Sequence, residues 1–188
     1  MRTLACTVLA VLLALPCAVA PAGAQTPAAA DTALLLAGAG LAKGGNSYLY
    51  QPFSRKRVPI RVGDTLEYDI FVPARSTEAC SGLDLTWTDN SNAMRELHIR
   101  DKDGTDTHPD SSLDRAKETW YHRVVPMDRV AGKTVDTWSL VLEGDLPGPQ
   151  VVFADNIGIR RADGEWVAVY ENGPPPEKLD LAAAEGYS

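Results

Sequence analysis

The chain has 188 residues, enough for one domain with its own hydrophobic core, and its 25 acidic and 18 basic side chains give a formal net charge of −7. That balance argues against a nucleic-acid partner and against electrostatic docking on an anionic membrane, because both would require a basic face. It is compatible with neutral or cationic ligands, or with calcium, and simple solubility explains it equally well.

The first 24 residues have the organisation of a secretory signal peptide. Arg2 supplies a positive start, residues 4–19 are almost continuously apolar, and residues 22–24 form an Ala-Gly-Ala site for signal peptidase. We therefore predict that the mature chain begins at Gln25 and is secreted, either extracellular or periplasmic; the alternative is an N-terminal anchor that is retained. Removal of the leader leaves Cys80 as the single cysteine, so an intramolecular disulfide is excluded.

Composition divides the remaining chain into three parts. Residues 25–43 are rich in Ala and Gly and predict a flexible lead-in with one apolar patch at residues 34–36. Residues 44–173 are predicted to form a single folded domain. Residues 174–188 begin with three prolines and predict a flexible tail, because proline ends regular structure.

Short alternating segments within the domain predict β-strands. Residues 65–72 place Leu, Tyr, Ile and Val against Thr, Glu, Asp and Phe, which indicates a strand with one buried face. Asp-Gly pairs at residues 103–104 and 163–164 are turn signals. The other predicted strands are residues 47–53, 58–62, 83–87, 96–100, 120–125, 135–142, 151–159 and 166–170. This pattern predicts an all-β fold, a two-sheet antiparallel β-sandwich of the jelly-roll type.

Three segments resemble the galactose-binding-domain-like jelly rolls that occur as carbohydrate-binding modules in secreted glycoside hydrolases and other exported proteins. The segments are GDTLEYDIFV at residues 63–72, WYHRVVPMDRVAGKTV at residues 120–135 and VVFADNIGI at residues 151–159. They contain the W-x-x-R, x-G-K-x-[IV] and [FY]-x-D-[ND]-[IV] patterns of that family, and residues 101–109 resemble its D-x-x-G-x-x-x-H-P hairpin. The resemblance covers residues 44–173 and implies a jelly roll that binds a glycan.

Asp155 is a carboxylate inside a very apolar strand, between Phe153 and Ile157. A buried carboxylate needs a counter-charge, hydrogen bonds or a metal. The resemblance implies that this Asp ligates a structural calcium ion, for which further oxygen ligands would have to come from residues 43–47. The alternative is an Asp that accepts hydrogen bonds from backbone amides or pairs with Arg or Lys.

Aromatic and polar residues beside loops are the candidates for sugar contacts, because aromatic rings stack on the C–H face of a sugar. Trp87, next to the polar loop 88–92, and Tyr121 are the stacking candidates, whereas Trp138 shares its strand face with Leu140 and Leu142 and is predicted to lie in the core. The candidates for hydroxyl binding are Asn90, Asn92 and Arg95, and the alternative is that they decorate a solvated loop.

The sequence contains no G-x-S-x-G, H-E-x-x-H or C-x-x-C motif, and its three histidines show no metal-ligand spacing. We therefore interpret the chain as an exported non-catalytic module that binds a polysaccharide or other glycan. One alternative is a small exported glycan-active enzyme, a hydrolase or lyase, on the same fold. A second alternative is a protein-interaction or adhesion module without a glycan ligand.

Overall fold

A computed structural model describes residues 33–40, 47–77, 80–108, 116–144 and 146–171. Within these ranges the chain forms β-strands joined by loops and two short 3-10 turns, at Met94–Leu97 and Asp128–Val130. The strands are β1 (Leu34–Gly40), β2 (Ser47–Ser54), β3 (Val58–Pro59), β4 (Thr65–Phe71), β5 (Cys80–Trp87), β6 (Tyr121–Pro126), β7 (Thr134–Gly144), β8 (Gly148–Arg160) and β9 (Trp166–Tyr170). In this part of the chain, no helix has the length and apolar character needed to cross a bilayer.

The strands form two antiparallel sheets. In sheet I, β8 pairs with β4 along one edge and with β1 and then β9 along the other, and β6 completes the sheet beside β4. In sheet II, β7 pairs with β5 along one edge and with β2 and then β3 along the other. The predicted all-β class and two-sheet antiparallel sandwich are confirmed.

The core lies between the sheets and follows from the alternation of apolar side chains. Leu66, Tyr68 and Ile70 on β4 are at most 1% exposed, and Trp138 on β7 is fully buried. The indole Nε1 of Trp138 donates a hydrogen bond of 2.7 Å to the carbonyl of Lys56, which satisfies its one polar atom. The prediction that Trp138 belongs to the core is confirmed.

Two predictions of local structure are wrong. Leu34–Gly40, expected in a flexible lead-in, forms β1 and pairs with β8, so the sandwich begins before residue 44. Residues 96–100, expected as a strand, instead contain part of a 3-10 turn, and His98 has a φ of 48°. The first error arises because short-range patterns do not show pairing with a distant strand. In the second case, Met94 is fully buried in the core, and this burial favours the turn. The predicted signal peptide (1–24) and tail (174–188) lie outside the described residues.

Candidate functional site

The outer face of sheet I, which points away from the core, carries a row of hydrogen-bonded polar side chains. Asp69 on β4 is paired with His122 on β6, and His122 Nδ1 lies 2.8 Å from Asp69 Oδ1. Asp69 Oδ2 accepts a hydrogen bond of 2.8 Å from Asn156 Nδ2 on β8. Because both oxygens of Asp69 are engaged, this carboxylate orients its two neighbours. We call Asp69, His122 and Asn156 the polar row.

His122 is the most accessible member of the polar row. Its side chain is 51% exposed, whereas that of Asp69 is 12% exposed. With Nδ1 held by Asp69, Nε2 is the ring nitrogen that an approaching group meets, and it lies 4.0 Å from Glu67 Oε2. The fixed ring orientation sets the direction in which Nε2 donates or accepts a hydrogen bond.

Aromatic side chains lie immediately beside the polar row. Phe71 stands two residues from Asp69 on β4, and Trp120 immediately precedes β6, two residues before His122, so both share the outer face. Their ring centroids are 5.4 Å apart and the rings are tilted by 47°. Phe153, which is 4% exposed, packs against this pair with its centroid 6.3 Å from that of Phe71. Residues two apart on a strand are separated by about 6.6 Å, so the aromatic cluster and the polar row are adjacent.

On the side away from the aromatic cluster, the polar row is bordered by Glu67, Arg160 and Trp166. The Arg160 guanidinium lies 3.3 Å from Glu67 Oε2 and 4.7 Å from the centroid of the Trp166 ring. Trp166 lies across Gly158, where an added Cβ would meet the ring at 2.6 Å. Glycine therefore allows this ring to approach the sheet. Along β4 the distance from Phe71 to Glu67 is about 13 Å, long enough for more than one sugar ring.

A β-bulge places Asn156 in the polar row. The register between β4 and β8 shifts between Glu67 and Asp69, and Asn156 has a φ of 47°. Asparagine tolerates this left-handed conformation better than most residues. The bulge turns the Asn156 amide toward Asp69 on the outer face.

Asp155, the predicted calcium ligand, is 1% exposed, and its Oδ1 accepts a hydrogen bond of 2.7 Å from the backbone N–H of Asn156. The alternative interpretation, an Asp bonded to a backbone amide, thus describes one of its contacts. Of its proposed partners, residues 43–46 lie outside the described residues. Within the described ranges, no three His, Cys, Asp or Glu side chains are grouped as metal ligands. Calcium at Asp155 stays a prediction.

Arg95, predicted to bind hydroxyls, lies at the centre of a second polar cluster on the outer side of sheet II. Its guanidinium contacts the Tyr50 hydroxyl and lies 3.7 Å from Asp84 and from Glu143. The Tyr50 hydroxyl donates to Glu143 Oε1 at 2.5 Å. Burial, followed by the hydrogen bond to Glu143, raises the pKa of Tyr50, and burial raises the pKa of Asp84. The Arg95 guanidinium thus contacts side chains of the protein itself, and 31% of its side chain is exposed.

The stacking prediction for Trp87 requires a correction, because the residue is 2% exposed and lies in the core. Its Nε1 donates a hydrogen bond of 2.9 Å to the carbonyl of Asn92, so the ring anchors the loop that follows β5. Asn90 and Asn92 are exposed in that loop, and Asn90 occupies a left-handed turn position with φ 56°. Trp87 therefore offers no exposed ring for stacking beside Asn90 and Asn92.

Tyr121 lies on the strand face opposite to His122. It packs against the core, and its hydroxyl donates a hydrogen bond of 2.8 Å to Asp103 Oδ2. Burial and this bond raise the pKa of Tyr121. Tyr121 connects β6 to the hairpin that contains Asp103, and it is separated from the polar row by the sheet.

Sequence reasoning missed the polar row, although part of the signal was present. The alternation in residues 65–72 already placed Asp69 on the face opposite to Leu66 and Tyr68. The register that opposes Asp69 and His122 depends on the pairing of strands more than fifty residues apart, since the two positions differ by 53. The bulge at Asn156 had no signal beyond the tolerance of Asn for positive φ.

Comparisons with known proteins leave the family open. No protein-family description matches the sequence, and no curated protein matches it. A solved structure described as "Structural basis for the promiscuous specificity of the carbohydrate-binding modules from the beta-sandwich super family" is similar with a TM-score of 0.40 and 9% identity. The match covers 71% of this chain and 56% of that one. This likeness is too distant to support a statement about function.

Proposed function

We propose that the protein is an exported, non-catalytic module of the galactose-binding-like type that binds a neutral polysaccharide on the outer face of sheet I. The observation that carries this proposal is the position of the polar row directly beside the Phe71–Trp120 pair. A sugar ring presents C–H groups on its faces and hydroxyls at its rim. An aromatic surface next to fixed donors and acceptors meets both requirements.

The charges on this face favour a neutral ligand. Glu67 and Asp69 are acidic, and the neighbouring Arg160 is paired with Glu67. An acidic polymer would be repelled by the carboxylates of this face, Glu67 and Asp69. Hydroxyl groups, in contrast, can donate to Asn156 or exchange hydrogen bonds with His122 without introducing a charge.

The test is retention of the purified protein on a panel of insoluble neutral polysaccharides. His122→Ala should weaken retention about five- to tenfold, because one hydrogen bond contributes about 1 kcal/mol. His98→Ala is the matched control: His98 is also exposed and lies 3.1 Å from a carboxylate, that of Asp106, but it belongs to another part of the surface. Retention that is equal for both variants would contradict the assignment to the polar row.

A second pair of measurements tests the remaining parts of the proposal. Trp120→Ala should reduce retention more than His122→Ala, because it removes the aromatic surface, and urea unfolding shows whether the variant is still folded. The same retention assay with EDTA tests the calcium prediction at Asp155. Loss of retention by the wild type in EDTA, restored by added calcium, is the expected result if the ion belongs to the working structure. Absence of retention on every polymer would overturn the proposed function.

One observation favours the enzyme alternative. Asp69 holds Nδ1 of His122 and thereby orients the ring, as a general base requires, while the His122 side chain is 51% exposed. The retained polymer should therefore also be assayed for soluble reducing sugar. Release by the wild type and its loss in His122→Ala would identify a hydrolase or lyase, whereas retention without release supports a binding module.

A further inference from the structure

The loop between β2 and β3 concentrates positive charge in an otherwise acidic protein. This loop, β3 and the two residues after it, residues 55–61, contain four basic side chains and no acidic one, against a net charge of −7 for the chain. Three of the four, Arg55, Lys56 and Arg57, are consecutive and exposed. Such a short basic stretch is a common feature of surfaces that bind anionic polymers.

The two arginines of this loop converge on a single carboxylate. Arg55 Nη1 lies 3.1 Å from Asp136 Oδ2, and Arg57 Nη2 lies 3.5 Å from Asp136 Oδ1. Their side chains are 73% and 71% exposed, so most of each guanidinium remains accessible to solvent. Exposed ion pairs of this kind contribute about 0–1 kcal/mol to stability. An external carboxylate can therefore compete with Asp136 for either guanidinium group.

The backbone that carries the two arginines is fixed by contacts on both sides. The carbonyl of Lys56, between them, accepts the hydrogen bond from the fully buried Trp138, and its backbone N–H donates to Ser54 Oγ at 3.1 Å. The Lys56 ammonium donates to the carbonyl of Ala168 at 2.6 Å. The loop therefore carries both arginine side chains on a fixed backbone, which lowers the part of the entropic cost of binding that comes from the backbone.

We infer that Arg55 and Arg57 form a binding surface for a carboxylate-bearing polysaccharide, a polyuronate. Asp136 shows that the pair accommodates a carboxylate, and the planar fork of arginine matches this group better than an ammonium does. Repeated carboxylates along one chain would engage this surface in successive registers. The overall acidity of the protein limits such binding to this loop, because charges beyond about 8 Å are screened at physiological ionic strength.

This inference is independent of the polar row, which lies on sheet I and is suited to a neutral sugar. The assay is native gel electrophoresis of the whole protein through gels containing sodium polygalacturonate, in buffer free of divalent cations. Parallel gels contain the methyl ester of the same polymer, which lacks the carboxylate charge, or dextran sulfate, which is anionic without carboxylates. We expect polygalacturonate to retard the protein and its methyl ester not to do so.

Variants distinguish binding at a carboxylate site from a general effect of the protein's net charge on retardation. Arg55→Gln with Arg57→Gln should weaken retardation by polygalacturonate about tenfold, since two exposed charged contacts are lost. Arg100→Gln with Lys102→Gln removes the same charge from exposed positions in another loop and should leave it unchanged. Replacement of Arg55 and Arg57 by Lys should give an intermediate effect, because charge is kept and the fork is lost.

Several results would overturn the inference. One is that polygalacturonate does not retard the protein, and another is that its methyl ester retards the protein equally. A third is that the two double glutamine variants change retardation equally. Retardation by dextran sulfate that matches polygalacturonate and is insensitive to the Lys replacements would also overturn it, because it would show a general polyanion surface. None of these results bears on retention on neutral polysaccharides, so the two proposals fail separately.

Discussion

Replacing Arg123 with Met is expected to destabilise the sandwich strongly, because Arg123 forms a buried ion pair. Its side chain is 1% exposed and that of Asp101 is fully buried, and Arg123 Nε donates to Asp101 Oδ2 at 2.8 Å. The same guanidinium donates to the carbonyls of Thr105 and Asp106, each at 3.1 Å. The pair therefore attaches the hairpin at residues 99–108 to strand β6.

The magnitude follows from what each substitution leaves behind. Arg123→Met leaves the Asp101 carboxylate buried without its counter-charge, which costs about 3–5 kcal/mol, a large part of a typical total stability of about 5–15 kcal/mol. Asp101→Asn leaves the guanidinium charge in the same position and should cost a similar amount. The double variant removes both charges, and the Asn oxygen can still accept from the N–H groups of Asp103 and Thr105. It should recover at least about 2 kcal/mol of the summed cost.

Urea unfolding followed by the fluorescence of the buried tryptophans measures these free energies. The four proteins of the cycle give the coupling between Arg123 and Asp101 directly. A loss below about 1 kcal/mol for Arg123→Met, or a double variant as unstable as the sum of the single ones, would refute the reasoning. Either result would mean that water or rearrangement satisfies the remaining charge.

Three further predictions follow from single positions. Gly158→Ala places a Cβ 2.6 Å from the Trp166 ring and 2.7 Å from the backbone carbonyl of Val167 and should cost about 1–3 kcal/mol in urea unfolding, whereas a neutral effect would show that the ring and strand β9 move away freely. Asn156→Ala should be less stable than Asn156→Gly by about 1–2 kcal/mol, because the φ of 47° strains Ala; equal stabilities would mean that the backbone relaxes. Burial raises the pKa of Asp84, so the folded state binds this proton more tightly than the unfolded chain. As the pH rises from the ordinary Asp value through the raised one, the wild type should therefore lose stability relative to Asp84→Asn; urea unfolding at stepped pH measures the difference, and a pH-independent difference would contradict it.

The alternation of apolar residues was sufficient to predict the fold class, because each sheet buries one face. It also contained the position of Trp87, which shares its strand face with Leu83 and Leu85, and these three residues are at most 2% exposed. The sequence interpretation instead relied on the position of Trp87 next to a polar loop. The burial of Trp87 shows that the strand period was the more reliable signal.

The site itself could be predicted only in part. Local sequence predicts strands that contain Asp69 and His122, yet the polar row requires β4, β6 and β8 to be neighbours in a particular register. That register is determined by long-range pairing, and the bulge that brings in Asn156 adds one residue to β8. For the same reason β1 was missed, since its assignment as a strand depends on pairing with β8, which is distant in the sequence.

Neighbouring residues of strand β6 have different roles: one stabilises the fold and the next belongs to the proposed binding site. Arg123 points into the core and holds the hairpin, whereas His122 points outward and is 51% exposed. His122→Ala should therefore change the free energy of unfolding by no more than about 0.5 kcal/mol while it weakens polysaccharide retention. Arg123→Met should lower the free energy of unfolding directly. Its retention on polysaccharide should fall only in proportion to the loss of folded protein. If His122→Ala instead destabilised the protein as much as Arg123→Met, the polar row would be a structural element of sheet I, and its proposed role in binding would lose its support.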